Sequence, residues 1–517
     1  MQTLKSNKVA LAIGMTLAVT ALQGQAFASD KHEGDRDFGV MVEHLLNKQS
    51  DKLFGVKKPL ERSADESDYV SRELARADQR ILLAKGLKAE FVTRNLGTSG
   101  DFIAFWPSAT NYSHLIVCIE QGRAAGGLNA GVQRVDVASG QVETIVYGMS
   151  RCDGIRTTAW GTVLATEETT DGRAYEIIDP LTTTGHWIAD RSSGDVRDAV
   201  HSATPSSTIV QRQALPTMAW EGLIVLPSGV VIAGDELRPG SYTNDFGTRD
   251  TDGGAIFKFV PAMPRTAEGP ISNLAESPLA SGSTYAMQVS CNSNNQQVGQ
   301  GCEIGNAAWV GVNALDARMD ANRNGATGYY RPEDLEQDPL YFDAENPDAI
   351  RFCVANTGRE SAMNYAEVVC GVDSDPLLAD NNTRSVVVNR FVEGDEEFNS
   401  FDNLEFQPMT GNLYVIEDHR YGDIFSCLPD GEDRDIKTDG CVRIASVVDP
   451  AAEPTGFIFD ASGETAYVIV QHGQQPAELL DYASNPVNGR TDDLIKVTGF
   501  KVKKDHHDKK YHDKKHH

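Results

Sequence analysis

Acidic side chains stand at the ends of many short apolar runs in this sequence. They occur singly or as doublets, as in "GTVLATEE", "VVIAGDE" and "NLYVIED". Calcium takes about six to eight oxygen ligands and is the cation that so many carboxylates suit first. One such residue alone indicates only a solvated or ion-paired carboxylate, but the repetition at strand ends predicts a metal site. The set comprises Glu120, Glu167, Glu168, Glu221, Asp235, Glu236, Glu333, Asp334, Asp402, Glu417, Asp418 and Glu453.

Cysteine is the second residue type whose chemistry stands out, because a thiolate is a poor calcium ligand but a good ligand for iron or zinc. The chain has eight cysteines. Three closely spaced pairs predict disulfides: Cys291 with Cys302, Cys353 with Cys370, and Cys427 with Cys441. Cys118 and Cys152 remain. Either they pair with each other, or Cys118 is a buried thiol and Cys152 is available to a metal beside the carboxylates.

The elements that must position these residues are β-strands. From about residue 88, short β-rich runs recur between Gly, Asp, Asn and Pro residues. The units "GLIVLPSGVVIAGDE", "NLEFQPMTGNLYVIEDH" and "TGFIFDASGETAYVIVQH" share one plan: a strand, a turn with Ser-Gly or Thr-Gly, and a second strand, with an acidic end in the first two. Such blade-like repetition predicts an all-β fold, a β-propeller with loop insertions, and fits a pair of β-sandwiches less well.

The chain divides by composition into four parts. Residues 1–28 have a basic start, an apolar stretch and an Ala-Phe-Ala cleavage site, which predicts a signal peptide. Residues 29–87 form a polar segment whose best amphipathic helix candidate is "DYVSRELARADQRILLAKGL". Residues 88–500 form the predicted catalytic propeller, with loops at 183–213 and 261–283, and residues 501–517 form a disordered His- and Lys-rich tail.

The charge balance narrows the class of partner. The formal net charge of −27 argues against nucleic acid, whose phosphates require Lys and Arg, and it fits carboxylates held near divalent cations. No stretch after the leader approaches the roughly 18 apolar residues of a membrane span. We therefore expect a periplasmic or extracellular protein, a monomer, exported by its N-terminal signal peptide.

Four stretches resemble one known family, the PhoX-type alkaline phosphatases. "RCDGIRTTAWGTVLATEE" is similar to that family's Cys-to-Glu-Glu segment, and "GYYRPEDLE" to its Arg-Pro-Glu-Asp motif. "FDNLEFQPMTGNLYVIEDH" and "AEPTGFIFDASGETAYVIVQHGQ" resemble two later segments. The resemblance covers roughly residues 50–500.

The resemblance implies a six-bladed propeller whose mouth holds calcium and iron and hydrolyses phosphomonoesters. It implies that Cys152 is an iron ligand, with Glu221 and Glu333 as companions. Arg331 would bind the phosphate, because the planar guanidinium matches phosphate oxygens bidentately. The other expected metal ligands are Glu120, Glu167, Glu168, Asp235, Asp402 and Glu453.

Two other functions fit the same carboxylates. One is a calcium-dependent propeller that hydrolyses lactones or other esters without using Cys152. The other is a non-catalytic, calcium-stabilised propeller that serves as an extracellular binding module. In the phosphatase, adjacent cations would polarise the phosphoryl oxygens and lower the pKa of a bound water, which supplies a nucleophile at mild pH. Small-molecule phosphate esters are the substrates expected.

Overall fold

The computed structural model describes residues 38–241, 243, 253–289, 303–429, 440–472, 479–480, 486–487 and 491–502. The predicted signal peptide, all but the start of the predicted tail, and the pair Cys291 and Cys302 lie outside these residues. The chain divides into two units, residues 1–45 and 46–517. The described part of the first unit is the beginning of helix α1 (Phe38–Lys48), and helix α2 (Ser50–Leu53) belongs to the second. None of the helices described is long and apolar enough to cross a membrane.

The amphipathic helix predicted before residue 88 does not form. The chain makes turns and one short 3-10 helix (Ala77–Gln79) there, followed by strand β1 (Ile81–Leu83). The charged residues of this segment do not form the polar face of a helix. Arg72 and Arg80 are buried instead and form ion pairs with the fully buried Asp493. The β-sheet structure therefore begins before the domain boundary that the sequence predicts.

Strands from residue 88 onward form six blades, which confirms the β-propeller prediction. Blade 1 contains β3 (Gly100–Trp106), β4 (His114–Ile119), β5 (Ala130–Asp136) and β6 (Val142–Tyr147). Blade 2 contains β7 (Cys152–Thr157), β8 (Thr162–Glu167), β9 (Ala174–Ile178) and β12 (Ile209–Gln211). Two further strands from the predicted loop at 183–213, β10 (His186–Asp190) and β11 (Asp195–Arg197), extend the sheet of blade 1.

Blades 3 and 4 share one nine-stranded sheet. Blade 3 contains β13 (Trp220–Val225), β14 (Val231–Asp235), β15 (Ile256–Pro261), β16 (Gly282–Val289) and β17 (Gly305–Val312). Helix α3 (Ala317–Arg323) follows. Blade 4 contains β18 (Pro332–Gln337), β19 (Ile350–Arg359), β20 (Asn364–Asp373) and β21 (Val386–Glu393). The two blades join because β17 pairs with both β16 and β21.

The last two blades close the ring. Blade 5 contains β22 (Phe401–Phe406), β23 (Leu413–Glu417), β24 (Asp423–Cys427) and β25 (Val442–Val447), and β1 pairs with its outer edge. Blade 6 contains β26 (Glu453–Phe459), β27 (Thr465–Gln471), β30 (Thr491–Thr498) and β2 (Lys88–Gly97); β28 (Leu479–Leu480) and β29 (Pro486–Val487) form a separate hairpin. Strand β2 comes from the N-terminal side of the propeller and pairs with β30.

The inner strands β3, β7, β13, β18, β22 and β26 contact one another in this order, and β26 contacts β3. They therefore surround a central axis. The core lies between the faces of neighbouring blades, where apolar side chains of alternating strand positions interlock. One such cluster, around Trp160, Trp220 and Phe257, joins blades 2 and 3.

Candidate metal centre

A cavity of about 280 Å³, here called the central cavity, lies where the inner strands of all six blades begin. Its wall is formed by polar and charged side chains: ten carboxylates, two arginines, one serine and one histidine. They are Ser99, Asp101, Glu120, Arg151, Asp153, Glu168, Glu221, Glu236, Arg331, Glu333, Asp402, Asp418, Glu453 and His472. The carboxylates greatly outnumber the arginines, so the cavity is a strong attractor of cations.

Five of the carboxylates occupy the same position in five blades. In blade 1, Gly100 pairs with Ile119 and Ile103 pairs with Val117, so that Asp101 lies in a β-bulge. The same shift in register follows the first residue of β7, β13, β18 and β22. A bulge redirects a side chain, and each of these bulges places its acid against the central cavity. The five bulge carboxylates are Asp101, Asp153, Glu221, Glu333 and Asp402.

Blade 6 departs from this arrangement. Its bulge lies between Thr455 and Ile458 and contains Gly456, whose φ is 57°. A Cβ atom at Gly456 would lie 2.3 Å from the carbonyl oxygen of Asp101. The close approach of blades 6 and 1 therefore leaves no room for a carboxylate at this position. Glu453, the first residue of β26, contributes to the central cavity instead.

A second group of side chains comes from the ends of the second strands. Consecutive residues of a strand point to opposite faces, so only one member of each acidic doublet can line the central cavity. In the three doublets at the ends of second strands it is the second member, which follows the last residue of the strand: Glu168, Glu236 and Asp418. Glu120 and His472 follow β4 and β27 in the same way. In the doublet of the inner strand β18 it is the first member, Glu333.

The first member of each doublet at the end of a second strand has a structural role. Glu167 accepts hydrogen bonds from Nε of Arg191 at 2.9 Å, and Asp235 accepts one from Nε of Arg318 at 2.7 Å. Both carboxylates, like that of Glu417, also accept backbone N–H groups of adjoining loops. The structure therefore does not bring Glu167 and Asp235, two of the expected metal ligands, to the central cavity, because the strand turns these two side chains away from it.

Burial and mutual repulsion raise the pKa values of the bulge carboxylates. The groups whose pKa lies well above its usual value are Asp101, Asp153, Glu221, Asp402 and Glu453. Burial raises the pKa of Glu333 to about 8, although Arg331 acts in the opposite direction. Burial and the charge of Glu236 raise the pKa of Glu168 to about 11. A bound cation relieves the same repulsion that otherwise retains protons here.

Three overlapping groups of carboxylates are arranged as a cation would require. In each group the ligand atoms lie within 4.8 Å of one another. The groups are Asp101, Glu120 and Asp153; Asp153, Glu168 and Glu221; and Glu221, Glu333 and Asp402. Asp153 and Glu221 each belong to two groups, as bridging ligands do. One buried oxygen of Asp101 and one of Asp153 have no hydrogen-bond partner, and an unsatisfied buried carboxylate oxygen fits a metal ligand. The residues therefore fit a row of divalent cations.

Two arginines line the central cavity from equivalent positions. Arg331 precedes β18 and Arg151 precedes β7, and both have a left-handed backbone, with φ of 58° and 55°. The side chain of Arg331 pairs with Glu236 at 2.6 Å and with Glu333 at 2.8 Å. Glu333 and Glu236 raise the pKa of Arg331 although burial opposes this, so its guanidinium remains cationic.

Cys152 forms a disulfide with Cys118. A sulfur in a disulfide has no thiolate to offer a metal, so the expectation of Cys152 as an iron ligand is corrected. The bond joins β4 to β7, next to Asp153. Of the three spaced pairs, Cys353–Cys370 and Cys427–Cys441 are disulfides as predicted, while Cys291 and Cys302 lie outside the described residues.

Sequence reasoning missed Asp101, Asp153 and Arg151. A signal for the first two exists in the inner strands, where an acid precedes one variable residue and then Ile or Leu. The matching stretches are "GDFI", "CDGI", "WEGL", "PEDL" and "FDNL". Aligning them by this pattern would have identified all five bulge carboxylates.

Comparisons with known proteins place the chain as follows. Residues 84–474 match the family model described as alkaline phosphatase PhoX. Pseudomonas fluorescens PhoX in complex with vanadate, a transition state analogue, is 15% identical, with 82% of this chain and 97% of that chain covered and a TM-score of 0.49. A PQQ-bound aldose sugar dehydrogenase from Streptomyces coelicolor is 11% identical over 80% of this chain and 98% of that one, with a TM-score of 0.37. A gluconolactonase from Xanthomonas campestris is 12% identical over 85% and 96%, with a TM-score of 0.34. No curated protein sequence matches the chain.

Proposed function

Because the chain belongs to the PhoX alkaline phosphatase family, we propose that its central cavity hydrolyses phosphomonoesters with bound divalent cations. The observation that carries the proposal is the set of three carboxylate groups linked through Asp153 and Glu221. Several cations close together are what phosphoryl transfer uses to neutralise the negative charge that develops on oxygen.

We propose calcium as the principal cation. All the candidate ligands offer carboxylate oxygens, which are hard donors that suit calcium. Iron was expected from a thiolate at Cys152, and that sulfur is in a disulfide. Iron in this chain would therefore have to bind without a cysteine sulfur, beside Glu221 and Glu333. When bound, the cations would polarise phosphoryl oxygens and lower the pKa of water.

The proposed roles of the side chains follow from their positions. The five bulge carboxylates, with Glu120 and Glu168, are the proposed cation ligands, and Glu453 is a further candidate at the wall of the same cavity. Arg331 binds the phosphate, because its guanidinium is cationic at the wall of the central cavity and offers paired donors to two oxygens. A hydroxyl hydrogen bond from Thr357 to Glu333, at 2.6 Å, fixes the carboxylate beside that guanidinium.

Export is part of the proposal. The three disulfides among the described residues indicate an oxidising compartment, as the periplasm or the extracellular space provides. The family match favours the phosphatase over a lactone or ester hydrolase and over a non-catalytic binding propeller.

The test combines metal analysis with a phosphatase assay. The purified protein should contain calcium, lose p-nitrophenyl phosphate hydrolysis in EDTA, and regain it when calcium returns. Replacement Glu221→Gln should lower both calcium content and activity. Glu464→Gln makes the same chemical change on an exposed turn and should change neither. A metal-free protein with full activity would contradict the proposal, and calcium with no phosphatase activity would favour the binding propeller.

A further inference from the structure

We infer that Arg151 is a second phosphate-binding residue, and that it makes the site select dianionic phosphomonoesters over monoanionic phosphodiesters. The inference rests on the phosphatase function proposed above.

Arg151 occupies in blade 2 the position that Arg331 occupies in blade 4. Each arginine directly precedes the first residue of its inner strand, and each is followed two residues later by a bulge carboxylate, Asp153 or Glu333. Both have a left-handed backbone, which is uncommon for arginine. The fold therefore presents two guanidinium groups from equivalent points on the wall of one cavity.

The two guanidiniums flank the part of the wall that blade 3 contributes. Arg331 pairs with Glu236, and Arg151 pairs with Glu168. Glu168 and Glu236 lie close enough that the charge of Glu236, together with burial, raises the pKa of Glu168. An anion held over this wall would have one guanidinium on each side.

The two arginines lie at different depths. The side chain of Arg331 is 17% exposed and that of Arg151 is 46% exposed. Arg151 is held between Glu120 and Glu168, and each of these two carboxylates belongs to one of the cation groups. Once cations neutralise them, the guanidinium of Arg151 is available to an anion that enters from solvent.

This arrangement distinguishes substrates by charge and by the number of free oxygens. A phosphomonoester has three non-bridging oxygens and carries a charge of about −1.5 to −2 at neutral pH. A diester has two such oxygens and one negative charge, and its second ester group occupies the side on which another arginine would bind. Two bidentate guanidiniums on opposite sides therefore match a monoester better than a diester.

The experiment uses the full-length, calcium-loaded protein and compares Arg151→Gln and Arg151→Lys with Arg197→Gln. Arg197 is an arginine paired with Asp195 on the edge strand β11, outside the central cavity. We expect Arg151→Gln to lower kcat/KM for p-nitrophenyl phosphate about tenfold or more, the effect of losing one charge-assisted hydrogen bond. Inhibition by inorganic phosphate should weaken by a similar factor, whereas kcat/KM for bis(p-nitrophenyl) phosphate should change little. Arg151→Lys, which keeps the charge without the fork, should be intermediate.

The outcomes separate this inference from the proposed function. Unchanged phosphate inhibition in Arg151→Gln, or equal loss with monoester and diester, overturns the inference while leaving the phosphatase in place. Lower calcium content in Arg151→Gln, with selectivity unchanged, also overturns it, since the residue would then act through the carboxylates. A wild-type protein that binds inorganic phosphate but cleaves neither ester overturns the proposed function. In that case, weaker phosphate binding by Arg151→Gln would still support phosphate binding by Arg151.

Discussion

The disulfide between Cys118 and Cys152 gives the sharpest prediction, because it decides between a crosslink and a metal ligand. Both cysteines are fully buried in the apolar core between blades 1 and 2. The bond closes a segment with a sequence separation of 34 residues. In the chain-entropy model, a crosslink of that span lowers the free energy of the folded state relative to the unfolded chain by about 4 kcal/mol. We expect Cys118→Ala/Cys152→Ala to lose that amount.

The assay is urea unfolding followed by fluorescence, in excess calcium and without reductant. The matched control is Cys353→Ala/Cys370→Ala, whose disulfide joins two paired strands of one blade across a separation of 17 residues. The same model gives about 3 kcal/mol for that crosslink. The control removes a disulfide that lies far from the candidate ligands in sequence, so only the Cys118–Cys152 variant should also bind calcium more weakly. The reason is that Asp153 directly follows Cys152, and Glu120 lies two residues after Cys118.

Two results would refute this reasoning. The first is a double variant with the unfolding free energy of the wild type, which would mean that no crosslink is lost. The second is stoichiometric iron in the wild type that disappears in Cys152→Ala, together with a peptide map in which Cys118 and Cys152 are free thiols. That combination would restore Cys152 as a metal-binding thiolate.

Three further predictions test the candidate metal centre and the buried ion pairs of Asp493. Asp153→Asn removes a carboxylate shared by two groups and should reduce bound calcium, by elemental analysis, more than Asp402→Asn, which touches one group. Glu168→Gln should lower calcium affinity in titration calorimetry, whereas Glu167→Gln should leave it unchanged in the folded protein, and the reverse order would contradict the assignment of the doublets. Arg72 and Arg94 hold the pKa of Asp493 below its usual value of 3.8 although burial opposes this, so its contribution to stability is present above that pH and is lost as the pH falls. Asp493→Asn should therefore cost about 3–5 kcal/mol near pH 7, and this cost should decrease as the pH falls below 3.8, measured by urea unfolding; a cost that stays the same from about pH 7 down to about pH 3 would rule this out.

Several strand pairs of the blades were readable from the sequence. A stretch such as "GLIVLPSGVVIAGDE" carries long apolar strands and a glycine turn, and it forms most of the inner strand β13 and the second strand β14. The first residues of the inner strands were harder to recognise. Those of blades 2 and 5, "CDGIRT" and "FDNLEF", contain Asp, Gly and Asn, which are depleted in strands. Their bulges place these residues against the central cavity. The stretches that form the site therefore have a low propensity for β-strand, and sequence patterns indicate them poorly.

The sequence predicted which residue types form the candidate site, but not which of their side chains face the central cavity. The sequence indicated that acids gather at strand ends, and it included Glu168, Glu221, Glu333 and Asp402 among them. It could not show which member of a doublet faces inward, because that depends on the register of pairing and not on the residue type. Nor could it separate Glu167 from Glu168, since the arginine that neutralises Glu167, Arg191, lies between β10 and β11, in the segment that the sequence predicts to be a loop.

The closure of blade 6 has a consequence for the order in which this protein can be assembled. The hydroxyl of Thr455 donates to the carbonyl oxygen of Gly100, a contact between residues 355 positions apart. Strand β2 completes the last blade by pairing with β30, so the circle of inner strands is whole only after the C-terminal strands have emerged. The carboxylates of the three groups come from blades 1 to 5, and Glu453 of blade 6 joins the wall of the central cavity only when the circle closes. Under the proposed function, the full set of candidate ligands is therefore assembled late in folding, and cation uptake would report in real time on the moment when blades 6 and 1 meet.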